Sequence, residues 1–249
     1  MEFHISTDDK RVRTGIDGLD GLLEGGFPQG SVVLIAGTPG TGKTIVCFQY
    51  IDAGIKNGEK CLFLTSDERI HNLVSQAKKF GFDFEAAVHS GLLKFMYLDL
   101  EKHTVHKDME TEIRSGKYSR VVLDSLTPLS EMPVWVMSRG TEIIPSEDSV
   151  MMTPLPIDSI QATRMHVRRL LSILEEDDCT ALVTSEVAEG SRNLSRDSVS
   201  EFLVDGILVL DLDPSMDRRK LTVRKMRGTK HTLKPRDIEI NTKGGIKVV

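Results

Sequence analysis

The sequence predicts an α/β fold: a mostly parallel, doubly wound central sheet flanked by helices, with an antiparallel extension at its C-terminal end. Three observations carry this expectation. Short apolar, β-branched runs alternate with amphipathic segments through residue 186, the rhythm of a parallel sheet covered on both faces. A glycine-rich loop joins the first of these runs to a helical segment. Beyond residue 206 the helical spacing stops, and two apolar pairs follow around turn residues, as hairpins require.

Taken in order, residues 14–30 (TGIDGLDGLLEGGFPQG) space Ile16, Leu19, Leu22 and Leu23 as one helical face ending at Gly25 and Gly26. A short helix and a Gly/Pro turn should therefore feed the first core strand. Ser31 to Ala36 (SVVLIA) reads as that strand, buried and parallel. Helical spacing follows at Ile45, Phe48, Gln49 and Ile51, with Gly54 and Gly58 read as its end. Lys60 to Thr65 is a second strand running into Ser66-Asp67-Glu68. Ile70, Leu73, Val74 and Ala77 then mark an amphipathic helix closing near Gly81. Leu92 to Leu98 is a third strand, 105–116 a polar helix, and Arg120 to Ser125 (RVVLDS) a fourth strand ending on an acid.

Residues 128–157 break the rhythm with Pro128, Pro133, Pro145, Pro154 and Pro156, and read as an inserted loop or lid. A capping box of Asp158 and Gln161 restarts a helix that runs to about Glu176. Cys179 to Ser185 is a fifth core strand, and 187–201 a Gly/Ser/Arg-rich connection. Gly206 to Leu212 and Leu221 to Met226 are expected as an antiparallel pair on the sheet edge, with Ile238 to Ile240 and Ile246 to Val249 as a further pair.

A chain of 249 residues with these elements is expected to form one domain, 1–249. A net charge of −5 gives no global attraction to nucleic acid. No apolar run reaches membrane-spanning length and the N-terminus lacks an apolar signal core, so a cytoplasmic protein is expected. Cys47, Cys61 and Cys179 are odd in number and lack metal spacing, which makes them small buried hydrophobes. His103, His106, His166 and His231 do not cluster at ligand spacing and read as surface or packing residues.

The chemistry concentrates in Gly37-Thr38-Pro39-Gly40-Thr41-Gly42-Lys43-Thr44, which fits G-x-x-x-x-G-K-[ST] at every fixed position. Strand, glycine loop and helix together present backbone N–H groups and a positive helix end to a polyphosphate. Lys43 adds a point charge for the β- and γ-phosphates of ATP, and the Thr44 hydroxyl is a ligand for Mg2+. Asp124, at the end of an apolar strand, is placed as a second, metal-organising acid; a solvated loop start or a helix cap is the bland reading. Asp67 and Glu68, after the second strand, are candidates to orient an attacking water, or else an acidic pair at a helix N-terminus. Lys225 and Arg227 alternate onto one face of an edge strand, which by itself is a basic edge that discourages pairing.

With GTPGTGKT, the acid pair, VVLDS, KMRGTKH and the terminal IEINTKGGIKV assembled, the chain resembles the KaiC branch of the RecA superfamily from about residue 14 to 249. The resemblance implies a RecA-type ATPase core, often a hexameric ring with ATP between subunits. It also implies that Lys225 and Arg227 reach the neighbouring subunit's γ-phosphate. Asp67 stands where many relatives carry Glu, which shortens the first acid by a methylene. Ser200 precedes Glu201 rather than a second hydroxyl residue, which argues against clock-type autophosphorylation. Two functions follow. One is a regulatory ATPase whose nucleotide state gates a protein partner. The other is a recombinase paralogue acting in DNA repair, with loops 128–157 and 187–201 on single-stranded DNA. The second is weakened by Glu189, Asp197 and Glu201 in one loop and by Trp135 as the lone aromatic of the other.

Overall fold

The computed structural model describes residues 10–102, 104–132, 159–175 and 179–249. The Asp158–Gln161 cap, His103 and the greater part of 128–157 lie outside the described residues. The first described element, β1 (Arg11–Val12), pairs antiparallel with β2 (Phe27–Pro28), a two-stranded ribbon too short to register in the apolar pattern. Between them lies α1 (Leu19–Leu22), the expected short helix.

The central element is β3 (Val32–Gly37), buried at every position. It leads through the glycine loop into α2 (Lys43–Lys56). Then come β4 (Cys61–Thr65), α3 (Ile70–Lys79), the short α4 (Glu85–His89), β5 (Leu93–Tyr97), α5 (Val105–Gly116) and β6 (Arg120–Asp124). A one-turn helix, α6 (Leu126–Ser130), occupies the start of the stretch expected as an irregular insertion. Helix α7 (Ser159–Leu174), β7 (Thr180–Glu186) and the single turn α8 (Ser200–Leu203) follow. Four strands close the chain: β8 (Gly206–Asp213), β9 (Arg218–Met226), β10 (Arg236–Asn241) and β11 (Gly245–Val248).

One nine-stranded sheet has the order β11-β10-β9-β8-β3-β7-β6-β4-β5. From β8 to β5 neighbouring strands are parallel; β9, β10 and β11 add antiparallel to β8. The expectation of an added edge pair is corrected in one respect. β8 lies inside the sheet, parallel to β3, and only β9 onward forms the antiparallel extension. Apolar side chains of alternating strand positions separate into two cores. One packs under α2 and α3 with Phe48, Phe63, Phe82 and Phe84; the other packs under α5, α6 and α7.

Gly54 does not end α2 as expected; it lies within the helix. A Cβ there would stand 2.6 Å from Arg120 Cδ and 2.7 Å from Cys61 Sγ, so the helix can lie against β6 and β4 only with glycine at this position. Arg120, at 0% exposure, is the largest fully buried side chain among the described residues. Its guanidinium donates to the Arg13 carbonyl at 2.8 Å and the Tyr50 carbonyl at 2.9 Å, pairs with Glu59, and lies over the Tyr50 ring at 4.6 Å. All three cysteines are buried and free, and burial pushes the thiols of Cys61 and Cys179 up to about 12.

Two of the histidines take packing roles: His106 of α5 and His166 of α7 touch edge to face with ring centroids 5.2 Å apart. His166 Nε2 donates to the Leu129 carbonyl at 2.8 Å, joining α7 to α6. Burial, with the neighbouring His166 and Arg169, lowers His106 to about 4 from an ordinary 6.5. The unfolded chain therefore binds a proton more readily than the native one between those values, so this contribution to stability is complete above pH 6.5 and is lost on descent toward 4. Discounted for partial exposure it is about 2 kcal/mol. Urea midpoints measured across that window should fall for the native sequence and fall less for His106→Leu.

Candidate nucleotide site

The glycine loop stands at the C-terminal end of β3, where the sheet order turns from β7 on one side to β8 on the other. In open α/β sheets this crevice is where ligands bind. Sterics select its residues. A Cβ on Gly37 would meet the Leu210 carbonyl at 2.6 Å, and Gly42 caps α2 with φ 102°, a conformation that only glycine adopts without strain. Thr41 is buried and donates to the Thr38 carbonyl at 2.8 Å, which closes the loop on itself. Lys43 lies across the loop, with Nζ donating to the Gly37 and Thr38 carbonyls at 2.9 and 3.1 Å. Burial lowers its pKa, and the carboxylates of Glu186, Asp124 and Asp67 pull it back up.

A cleft of about 650 Å3 opens over this loop. Pro39, Gly40, Lys43 and Thr44 line it from the loop; Asp67 and Glu68 from the end of β4; Asp124 and Ser125 from the end of β6. Thr44 Oγ1 donates to Asp124 Oδ2 at 2.8 Å, and Thr184 Oγ1 donates to the other carboxylate oxygen. Burial pushes the Asp124 carboxyl above its ordinary value, against the two hydroxyl hydrogen bonds; the Asp67 charge adds to the rise and Lys43 opposes it. A hydroxyl and a carboxylate in contact at the foot of a phosphate loop are hard oxygen donors of the kind Mg2+ takes. Among the described residues no three His, Cys, Asp or Glu side chains group as a separate metal site.

The two adjacent acids diverge. Asp67 Oδ2 accepts from Ser125 Oγ at 2.8 Å, beside Asp124, whereas Glu68 Oε2 accepts from Gln76 Nε2 at 2.7 Å and so lies back along α3. Two charged cleft residues were not expected from sequence. Glu186 ends β7 between the loop and Asp124, and Arg219 of β9 reaches the Gly40 carbonyl, Nε to O 3.4 Å. Arg219 is placed by β9, where it pairs with Leu212 of β8 and Ile238 of β10, and the last strand packs onto α2. Gln49 accepts from the Ile246 N–H at 2.6 Å and donates to the Ile246 carbonyl at 2.9 Å.

Lys225 and Arg227 are not in this cleft. Gly37 is level with Leu210 and Leu221, whereas Lys225 pairs with Ile207 and Met226 with Gly206. The two cations therefore lie toward the opposite end of the sheet, on the order of 10–20 Å along the strand from their own phosphate loop, Arg227 the farther of the two. Lys225 Nζ donates to the Val204 carbonyl at 2.6 Å, and Arg227 pairs with Asp205 at 2.9 Å. In the 187–201 connection, Arg196 is paired with Glu131 at 2.9 Å. Asp197 accepts from the Ser200 N–H and hydroxyl, at 2.6 and 2.9 Å, and Ser200 is fully buried.

A parallel sheet carrying a phosphate loop beside a strand-end acid, with antiparallel strands appended past the switch point, defines a P-loop ATPase of the RecA class. The family model for the KaiC ATPase matches residues 12–140 and 147–249, leaving only 141–146 between its two blocks. The chain belongs to this family, the KaiC-like branch of the RecA superfamily. It is 34% identical over 241 residues to a UPF0273 protein of Methanopyrus kandleri, covering 94% of this chain and 90% of that one. The circadian clock oscillator protein KaiC of Picosynechococcus is 29% identical over 225 residues, which span 89% of this chain but 41% of the clock protein. The crystal structure of a KaiC-like protein from Pyrococcus horikoshii superposes with a TM-score of 0.76 at 31% identity, covering 96% of this chain and 99% of that one. No helix among the described residues is long and apolar enough to cross a membrane.

Proposed function

We propose that this protein is a magnesium-dependent ATP hydrolase that works as a ring, with each site shared between two subunits and the nucleotide state read by a protein partner. The observation that carries this reading is the split of the site. Lys43, Thr44, Asp67 and Asp124 converge in one cleft, while Lys225 and Arg227 stand far from it in the same chain. A heterologous, head-to-tail interface would bring the second group to the first, and six copies would close the ring.

In this account the backbone N–H groups of residues 40–44, with the Lys43 ammonium, hold the phosphates of ATP. Thr44 and Asp124 would hold Mg2+, which neutralises phosphate charge when bound. Asp67 is the acid that orients the attacking water: it stands beside Asp124, and Ser125 holds its carboxylate, whereas Glu68 is tied to Gln76. Lys225 and Arg227 of the adjoining subunit stabilise charge on the transferred phosphoryl group.

The single-stranded-DNA reading has less to stand on. Arg196 is engaged by Glu131, and the 187–201 connection is knitted by its own Asp197 and Glu201. Clock-type phosphorylation of Ser200 is likewise disfavoured by its burial. Steady-state hydrolysis of Mg-ATP tests the assignment. Asp67→Asn should lower kcat on the order of 10²- to 10³-fold, and Glu68→Gln should change it less than tenfold. Equal losses would remove the distinction. A saturable, salt-sensitive stimulation by single-stranded DNA would favour the recombinase reading instead.

A further inference from the structure

The stretch that carries Arg227 is held in place by the other end of the chain. Past β9 the backbone leaves the strand at Arg227 and does not rejoin the sheet until Arg236. Local bonds within this turn are weak: Thr229 Oγ1 reaches the Arg227 carbonyl only at 3.4 Å. The long-range hydrogen bonds come from the N-terminal ribbon. Arg11 of β1 donates through one guanidinium nitrogen to Thr229 Oγ1 and through the other to the Gly228 carbonyl at 2.9 Å. Glu24, in the turn before β2, accepts from the Lys230 N–H at 3.2 Å and lies 3.7 Å from the Arg11 guanidinium. The Arg11 side chain is 9% exposed, so its charge is spent inside the protein rather than in solvent.

Resting on the shared-site reading above, we propose that Arg11 and Glu24 are positioning residues of the trans site. They fix the 228–230 turn so that Arg227 projects toward the neighbouring subunit's phosphates. A planar guanidinium gripping a hydroxyl and a carbonyl at once fixes orientation as well as position, which a lysine ammonium cannot do. Arg227 itself is anchored on one side only, to Asp205, so its reach across an interface depends on the turn that follows it. A displacement of 1 Å at such a group costs on the order of 10²-fold in rate. Neither Arg11 nor Glu24 lines the nucleotide cleft of its own chain. The loss should therefore belong entirely to the subunit that donates the arginine, and leave that subunit's own phosphate loop intact.

Subunit mixing tests this directly. Alone, Arg11→Ala should hydrolyse ATP at least tenfold more slowly than the native protein while binding nucleotide with unchanged affinity; Arg11→Lys should fall between, and Thr229→Val should reproduce part of the loss from the other side. In equal mixtures with Lys43→Met, whose subunits keep an intact donor face, Arg11→Ala should regain activity, because random mixing joins two intact halves at about one interface in four. Mixed with Arg227→Ala it should gain nothing, since both variants are deficient in the same half. Rescue by Arg227→Ala, or full activity of Arg11→Ala alone, would overturn the clamp while leaving the shared site standing. The control mixture of Lys43→Met with Arg227→Ala separates the two claims: failure to recover there would sink the shared site, and the clamp with it.

Discussion

Lys43→Met is expected to abolish ATP turnover, on the order of 10³-fold or more, and to weaken nucleotide binding, without destabilising the nucleotide-free protein. The two halves of that result have one cause. Lys43 is 9% exposed and its charge is depressed by burial, so the fold bears a desolvation cost to keep an ammonium at the loop. Among the described residues its side chain bonds only to the Gly37 and Thr38 carbonyls of the loop it serves. An apolar side chain of similar length relieves that cost and removes the charge that meets the phosphates. The thermal midpoint without nucleotide should be unchanged or higher, and the rise on adding Mg-ATP should vanish. A variant that melts earlier while still hydrolysing ATP would show that Lys43 serves the fold rather than the reaction.

Arg120→Ala should have the largest effect on stability of any single substitution away from the cleft. The change leaves Glu59 without its buried partner and removes the hydrogen bonds to the Arg13 and Tyr50 carbonyls. It also opens a void against Gly54, where glycine is required by the guanidinium stem. Removing one member of such a pair costs about 3–5 kcal/mol, and for a chain of this size that lowers the thermal midpoint by roughly 10 °C. Chemical denaturation measures it. A loss below about 1 kcal/mol would mean that water reaches Glu59 and replaces the arginine. Because Arg120 lies at the N-terminal end of β6 and Asp124 at the C-terminal end, kcat at a temperature where the variant stays folded should be close to native.

The parts of this protein legible from sequence are those whose physics is local. Gly37 to Thr44 is readable because a phosphate cradle needs its residues in consecutive order. Strands β3, β4, β6 and β7 are readable because burial on both faces writes mostly apolar, β-branched runs. What escaped depends on partners far away in the chain. β8 looked like half of an edge hairpin, since its turn to β9 is local; its parallel pairing with β3, more than 170 residues earlier, leaves no mark in its own composition. Gly54 looked like a helix stop because the arginine that demands it comes from another strand. His106 and His166 looked unrelated until α5 and α7 packed together. In the site, Asp124 was legible as an acid ending an apolar run. Glu186 and Arg219 were not, for one closes a strand without any motif and the other reaches the cleft only through the fold of the C-terminal strands. The divergence of Asp67 and Glu68 is a matter of side-chain partners, Ser125 and Gln76, that sequence spacing does not single out.

The central claim, that each ATP is hydrolysed between two subunits, is tested most directly by specific activity as a function of protein concentration. Turnover of Mg-ATP per chain should be near zero at dilutions where the protein sediments as a monomer, rise steeply as rings assemble, and then reach a plateau. Turnover per chain that stays constant down to the monomer would contradict the account, because Lys43, Asp67 and Asp124 would then be sufficient without a neighbour's Arg227.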